Sequence, residues 1–245
     1  MVALALGFIG LALFERPAPR ADAARDHRLF TNFALGVLNL AIASLLPLST
    51  AAAARLAEMV QWQPLAALPV LAVAAVLLAA RSAASYGLHR LTHAVPMLWR
   101  FHRVHHADRA FDLSTGWRHH PAEVLLATLV AGTTVFALGA PLWAVYLVDL
   151  ALLVAALWEH ADIAVPARFS RRIEWALVTP DFHRIHHSAD RADHDLNFGG
   201  FTTLWDRLFG TYRRPGAPVA RLGVDGEHGS ADRLVAQLAR PFHVA

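Results

Sequence analysis

Long apolar runs alternate with short charged breaks along the chain. Residues 29–54 carry no charged side chain, enough to cross a bilayer once, and Arg55 and Glu58 form a short break after them. Residues 59–80 are again uncharged, with Pro64 and Pro69 near their start, and are long enough to cross back. Residues 124–138 and 141–158 are two apolar arms joined by Gly139-Ala140-Pro141. The first arm suits a hairpin that dips into the bilayer as well as one that spans it. Residues 2–14 are apolar but only about 20 Å long as a helix, short of the roughly 30 Å hydrocarbon core. They fit a tilted or truncated span or an interfacial helix; no basic residue precedes them, which disfavours a cleaved signal peptide. The pattern predicts an all-α integral membrane bundle of about four spans, or a span pair plus a hairpin.

Charge orients this bundle. Arg16, Arg20, Arg25 and Arg28 gather in the polar loop before residue 29, an excess that argues for the cytoplasmic side. Two crossings return the chain to that side at residue 81, and the hairpin returns it again at residue 159. Residues 81–123 and 159–212 are therefore expected to form one cytosolic helical cap. The polar tail, 213–245, is rich in Pro and Gly, with Ser230 expected to cap a last amphipathic helix through Leu234, Val235 and Leu238. All 245 residues read as one domain.

Composition agrees with a membrane protein, since 56% of residues are hydrophobic. No Cys occurs, so any metal must be held by nitrogen or oxygen. The 22 basic residues are all Arg, spread through loops with no dense tract, which gives nucleic-acid binding no support. Fifteen residues are His, and eleven of these fall between His89 and His187. The span reading, made without using them, puts all eleven on one side.

Their spacing carries chemistry. Phe101-His102-Arg103-Val104-His105-His106 returns almost letter for letter as Phe182-His183-Arg184-Ile185-His186-His187. In each copy the first His stands three and four residues before the other two, so the three share a helical face. His89 and His93 form a further i,i+4 pair. Eight such histidines, with His120 and His160 available, exceed what one metal binds and imply two. Imidazole sites suit Zn, Cu, Fe or Ni. Asp108, Asp112, Glu123, Asp162, Asp181 and Asp190, and Asn197 in the closing segment, are candidates to orient the imidazoles. His27, His194, His228 and His243 fall outside any spacing pattern and read as solvated. Asp149 sits inside an apolar arm, either as a functional group or paired within the bundle. No haem, flavin or dinucleotide motif occurs.

His89-x3-His93, His102-x2-His105-His106 and His183-x2-His186-His187 resemble the three histidine boxes of the fatty acid hydroxylase and sterol desaturase superfamily. Supporting matches are Arg118-His119-His120-Pro121-Ala122-Glu123, Thr179-Pro180-Asp181-Phe182, and Trp205-Asp206-Arg207-Leu208-Phe209-Gly210-Thr211-Tyr212. Asp162 stands where relatives commonly have Asn, and Phe198 replaces the usual Tyr of an Asn-Tyr-Gly element. The resemblance implies a membrane bundle under a cytosolic cap and two irons held by the eight box histidines with His160 and His120. It also implies O2 as co-substrate, and electrons from a separate ferredoxin or cytochrome b5 type donor with its reductase. The expected activity is hydroxylation or desaturation of a lipid C–H bond, with the protein in a bacterial inner membrane. The alternative is a metal-binding membrane transporter or sensor without catalysis.

Overall fold

In the computed structural model of the chain, residues 12–15, 23–45, 49–216, 219–224 and 233–243 are described. Residues 2–11, and with them most of the first apolar run, lie outside this set, as does Ser230. The described residues are helical, with no strand beyond isolated bridges.

Among the described residues, three helices are long and apolar enough to cross a membrane: α3 (Val70–Ala94), α5 (Pro121–Leu138) and α6 (Leu142–His160). At 1.5 Å per residue α5 and α6 are each about 27 Å long or slightly more, close to the hydrocarbon thickness. Their packing is legible along α6. Ala144, Val145 and Val148 are buried, joining Val73 and Leu77 of α3 and Val135 of α5 in one core. Trp143, Tyr146, Leu147, Leu150 and Val154 face outward. Large apolar side chains left exposed in this way form a lipid-facing belt.

The arms turn at Gly139, whose φ of +56° is left-handed, and a Cβ there would stand 2.3 Å from the Trp62 carbonyl oxygen. Glycine alone meets both demands. Trp62 also donates its indole N–H to the Ala137 carbonyl at 3.1 Å, so the loop after α2 (Thr50–Met59) closes over this turn.

Two expected boundaries move. The uncharged run 29–54 is not one span. It divides between α1 (Ala23–Leu45) and α2, with the Ser49 hydroxyl capping α2 through the Ala52 amide. Lack of charge misled because α1 carries the uncharged polar residues Thr31, Asn32 and Asn39, all buried. Asn39 donates to the His119 carbonyl at 2.9 Å and Asn32 to Asp108 at 2.9 Å, so much of α1 lies against the polar cap. The second crossing shifts as well: residues 60–69 are turn, loop and 3-10 structure, and α3 runs unbroken from Val70 into the His89/His93 pair.

Proline punctuates the cap. Pro96 restricts Val95 to extended backbone (φ −100°, ψ 113°), which ends α3 and starts α4 (Pro96–His106) at a new angle. Pro121 and Pro180 likewise open α5 and α8 (Pro180–His186), after α7 (Ala167–Ile173). Short helices α9 (Arg191–His194), α10 (Leu204–Phe209) and α11 (Leu234–Ala239) complete the described chain. The residue before α11 is Arg233, which supplies no side-chain cap.

Candidate metal centre

The repeated hexapeptides form the last turns of α4 and α8 and meet face to face. Their histidines sort into two adjoining groups. The first holds His89, His93, His102, His106 and His186; the second holds His105, His160, His183 and His187; within each, the donor atoms lie within 4.8 Å of one another. Each hexapeptide thus gives its i,i+4 pair to one group and its middle histidine to the other. The helix explains the split. At about 100° per residue, positions i+3 and i+4 flank position i on opposite sides, so the three imidazoles share a broad face without aiming at one point.

Hydrogen bonds fix which nitrogen faces inward. A backbone carbonyl only accepts, so a ring nitrogen bonded to one must carry the proton. His89 Nδ1 donates to Phe198 O at 2.8 Å, His186 Nδ1 to Leu196 O at 2.8 Å, His160 Nδ1 to Ala156 O at 2.8 Å and His105 Nδ1 to Arg118 O at 3.3 Å. In the neutral rings Nε2 is then a bare lone pair. These lone pairs converge: His89 and His106 Nε2 lie 3.0 and 3.2 Å from His102 Nε2. In the second group His160 Nε2 lies 3.3 Å from His105 Nε2 and 3.1 Å from His183 Nε2.

Two such lone pairs repel at this distance unless a cation lies between them. Nitrogens bound about 2.1 Å from one metal, at angles between square and tetrahedral, stand about 3.0–3.4 Å apart. The buried Nε2 atoms of His93 and His186 have no hydrogen-bond partner among the described residues. The donor set therefore fits a divalent metal in each group. Burial first, and mutual repulsion second, hold His105, His106, His183, His186 and His187 well below the ordinary imidazole pKa, keeping them neutral as ligands must be.

The singled-out carboxylates divide by role. Glu123 Oε1 accepts from Nδ1 of His102 at 2.7 Å and of His119 at 3.1 Å. Asp108 and Asp112 bond Arg28 instead, Asp162 bonds Arg184 at 2.7 Å, and Asp190 caps α9 through the Ala192 amide. Asp181 is partly exposed in the first turn of α8. Asn197 donates to the Phe182 carbonyl at 3.0 Å and to Arg213 O at 2.9 Å, bracing the second hexapeptide.

Two acids were missed by sequence reasoning. Asp195 approaches His93 Nδ1 at 3.2 Å. Glu159 is buried between His160 and His183, with Oε2 3.9 Å from His183 Nδ1, and neither of those two atoms has a hydrogen-bond partner among the described residues. The signal available for Glu159 was its place beside His160 at the end of an apolar arm. His194, expected in solvent, is buried and stacked on Trp99 beside the first group.

His120 stands outside both groups. It is the N-cap of α5, its Nδ1 accepting from the Ala122 amide at 3.0 Å, and its Nε2 meets Leu238 O at 3.3 Å. His120→Ala is accordingly expected to lower stability by about 1 kcal/mol, as loss of a cap does, while metal content stays unchanged. Thermal melting and metal analysis of the same sample check this.

Both groups open on a cavity of about 470 Å³ that runs from His89, His102, His105, His160 and His183 into the bundle. Its volume is that of a small-molecule site.

A family model, Fatty acid hydroxylase, matches residues 74–211, which take in every histidine of the two groups. The chain belongs to the fatty acid hydroxylase family. Its relatives include the ornithine lipid hydroxylase OlsE of Rhizobium tropici, 32% identical over 64% of this chain and 46% of that protein. The alkylglycerol monooxygenase of Homo sapiens is 28% identical over 52% of this chain and 27% of that protein, and the fatty acid hydroxylase vlmA of a Lecanicillium species is 29% identical over 51% and 38%. The chain thus spans less than half the length of these curated relatives. No solved structure matches it.

Family motifs outside the boxes acquire roles here. Asp206 accepts from the amides of Phe198 and Gly199, both at 2.8 Å, which presents the Phe198 carbonyl to His89. A Cβ on Gly199 would stand 2.4 Å from Thr202 O, so only glycine fits. Phe198, in place of Tyr, still packs its ring edge-on against His89, His93 and His186.

Proposed function

We propose that the protein hydroxylates a C–H bond of a lipid, using O2 and two irons, one in each histidine group. The observation that carries this reading is that two adjoining sets of bare imidazole nitrogens face one cavity inside an apolar membrane bundle. Zinc has no redox chemistry, and the relatives are named as hydroxylases and monooxygenases, which favours iron and favours hydroxylation over desaturation. Iron, when bound, supplies the O2 activation needed to break an unactivated C–H bond.

The chain's residues do the rest. The nine grouped histidines hold the metals, with ring orientation set by the carbonyls of Phe198, Leu196, Ala156 and Arg118. Glu123 and Glu159 offset part of the positive charge that neutral ligands leave uncompensated. Ala127, Ala131 and Ala156 line the cavity with small apolar surface that admits a chain and sheds water. Electrons come from a separate ferredoxin or cytochrome b5 type donor with its reductase. The excess of Arg16, Arg20, Arg25 and Arg28 around the start of α1 supports a cap on the cytoplasmic face, in a bacterial inner membrane.

Purified protein is expected to hold about two irons per chain. It should consume O2 in the presence of reductant and lipid extract, and place one isotope-labelled oxygen atom from O2 in a lipid product seen by mass spectrometry. Full occupancy by zinc in cells, with no turnover after iron reconstitution, would overturn the proposal.

A further inference from the structure

The cavity has a second polar end. Away from the imidazoles it is lined by Arg81 of α3, Asp149 of α6, and Ser49 and Thr50 at the start of α2. Arg81 Nη1 donates to Asp149 Oδ1 at 2.8 Å and the Thr50 hydroxyl donates to Asp149 Oδ2 at 2.6 Å. Arg81 and His89 are eight residues apart on one helix, about 12 Å of rise. Between them the walls are mostly apolar, with Leu88, Val124, Ala127, Ala131 and Ala156, and carry the hydroxyls of Ser85 and Thr128.

An ion pair that merely ties spans together is closed off by its neighbours, because charge in a membrane interior is costly. This pair is open. The Asp149 side chain is 34% exposed, the Arg81 side chain 12%, and both face the cavity. The chemistry it offers is specific. Asp149 cancels the charge of Arg81, so no net charge is left to attract an ion. Both carboxylate oxygens already accept a donor, whereas Arg81 uses one N–H of the five a guanidinium has. The pair presents surplus donors without net charge.

We infer that Arg81, held by Asp149, binds an uncharged oxygen acceptor on the substrate, such as a hydroxyl or an ester or amide carbonyl, and so determines specificity. The rest of the substrate is an apolar segment that passes the alanine-lined walls to the imidazoles. The C–H bonds presented there lie a fixed reach, about 12 Å, from the bound polar group. This rests on the lipid reading above and adds to it which lipids are taken and what sets the position of attack. Arg81 is a positioning residue, remote from the reacting atoms.

The test is binding, not turnover. Full-length, metal-loaded protein in lipid nanodiscs is labelled with a photoreactive hexadecan-1-ol bearing a mid-chain diazirine. Unlabelled hexadecan-1-ol, hexadecane, hexadecanoate and hexadecylammonium compete, each expressed as its mole fraction in the bilayer. The alcohol is expected to displace the label at roughly tenfold lower mole fraction than hexadecane, with both ions no better than hexadecane. In Arg81→Met/Asp149→Leu, which replaces the pair by apolar groups of similar size, labelling and metal content should persist while alcohol and alkane compete equally. Arg81→Leu/Asp149→Met also replaces the pair by apolar groups; it carries the same test should the first double variant fail to fold. A preference for alcohol that survives these changes, or stronger displacement by either ion, overturns the inference and leaves the lipid reading standing. If no chain displaces the label from the unaltered protein, the cavity takes no apolar chain and the lipid reading fails with it.

Discussion

His106→Ala combined with His186→Ala is expected to leave about one iron per chain, whereas His106→Ala combined with the adjacent His105→Ala is expected to leave almost none. The first pair, far apart in sequence, belongs to one histidine group, and the second pair, neighbours in sequence, belongs to two. Loss of even an outer hydrogen-bonding partner of a ligand costs roughly 10–100-fold in metal affinity or activity, and loss of a ligand costs more. Each of the four single changes His105, His106, His186 or His187→Ala is therefore expected to lower turnover by more than about 100-fold. Metal analysis of the purified variants gives the iron count, and oxygen uptake gives the turnover. Equal metal loss in both double variants would refute the crossed arrangement. Full metal in either would refute the ligand assignment itself.

The same crossing marks how far the sequence could be read. The repeat at 101–106 and 182–187 was visible because helical periodicity turns i, i+3, i+4 into a shared face. Which histidine serves which group was not visible, since that depends on how α4 and α8 are docked. Backbone carbonyls that set the tautomers, such as Phe198 O and Leu196 O, carry no side-chain signature at all. The spans of the hairpin and its turn at Gly139 followed from apolar pattern and turn chemistry. The break of residues 29–54 did not, because buried Asn32 and Asn39 are as silent in a charge count as the alanines around them. Asp149 could be weighed as a paired or a functional group from its position alone, but its partner Arg81 lies 68 residues away and only packing joins them.

Packing also makes Asp108 the most consequential acid outside the histidine groups. Asp108 is 1% exposed, Arg28 6% and Arg118 0%. Its Oδ2 accepts from Arg28 at 2.9 Å, Asn32 at 2.9 Å and Thr115 at 3.0 Å, tying α1 to the loop that follows α4. Asn32 in turn accepts from Arg118 at 2.9 Å, Arg118 Nε donates to the Val104 carbonyl at 2.9 Å, and the Arg118 carbonyl orients His105. Removing one partner of a buried ion pair costs about 3–5 kcal/mol because the remaining charges stay buried. Asp108→Ala is expected to fall in that range, with metal lost first from the group that contains His105.

The pH dependence of Asp108 has a definite sign. Burial pushes its carboxyl up, but the guanidinia of Arg118 and Arg28, with the Asn32 and Ala110 hydrogen bonds, outweigh that and hold it below the ordinary range. A carboxyl whose pKa is lower folded than unfolded stabilises fully above its unfolded value, and the contribution is lost as pH falls through the folded one. The gap in melting temperature between the unaltered protein and Asp108→Ala should therefore be constant near neutrality and close only below about pH 4. Thermal melts of both proteins in the same detergent, from neutral pH downward, measure it. A gap that closes already near pH 6 would place its origin in the histidines and not in Asp108.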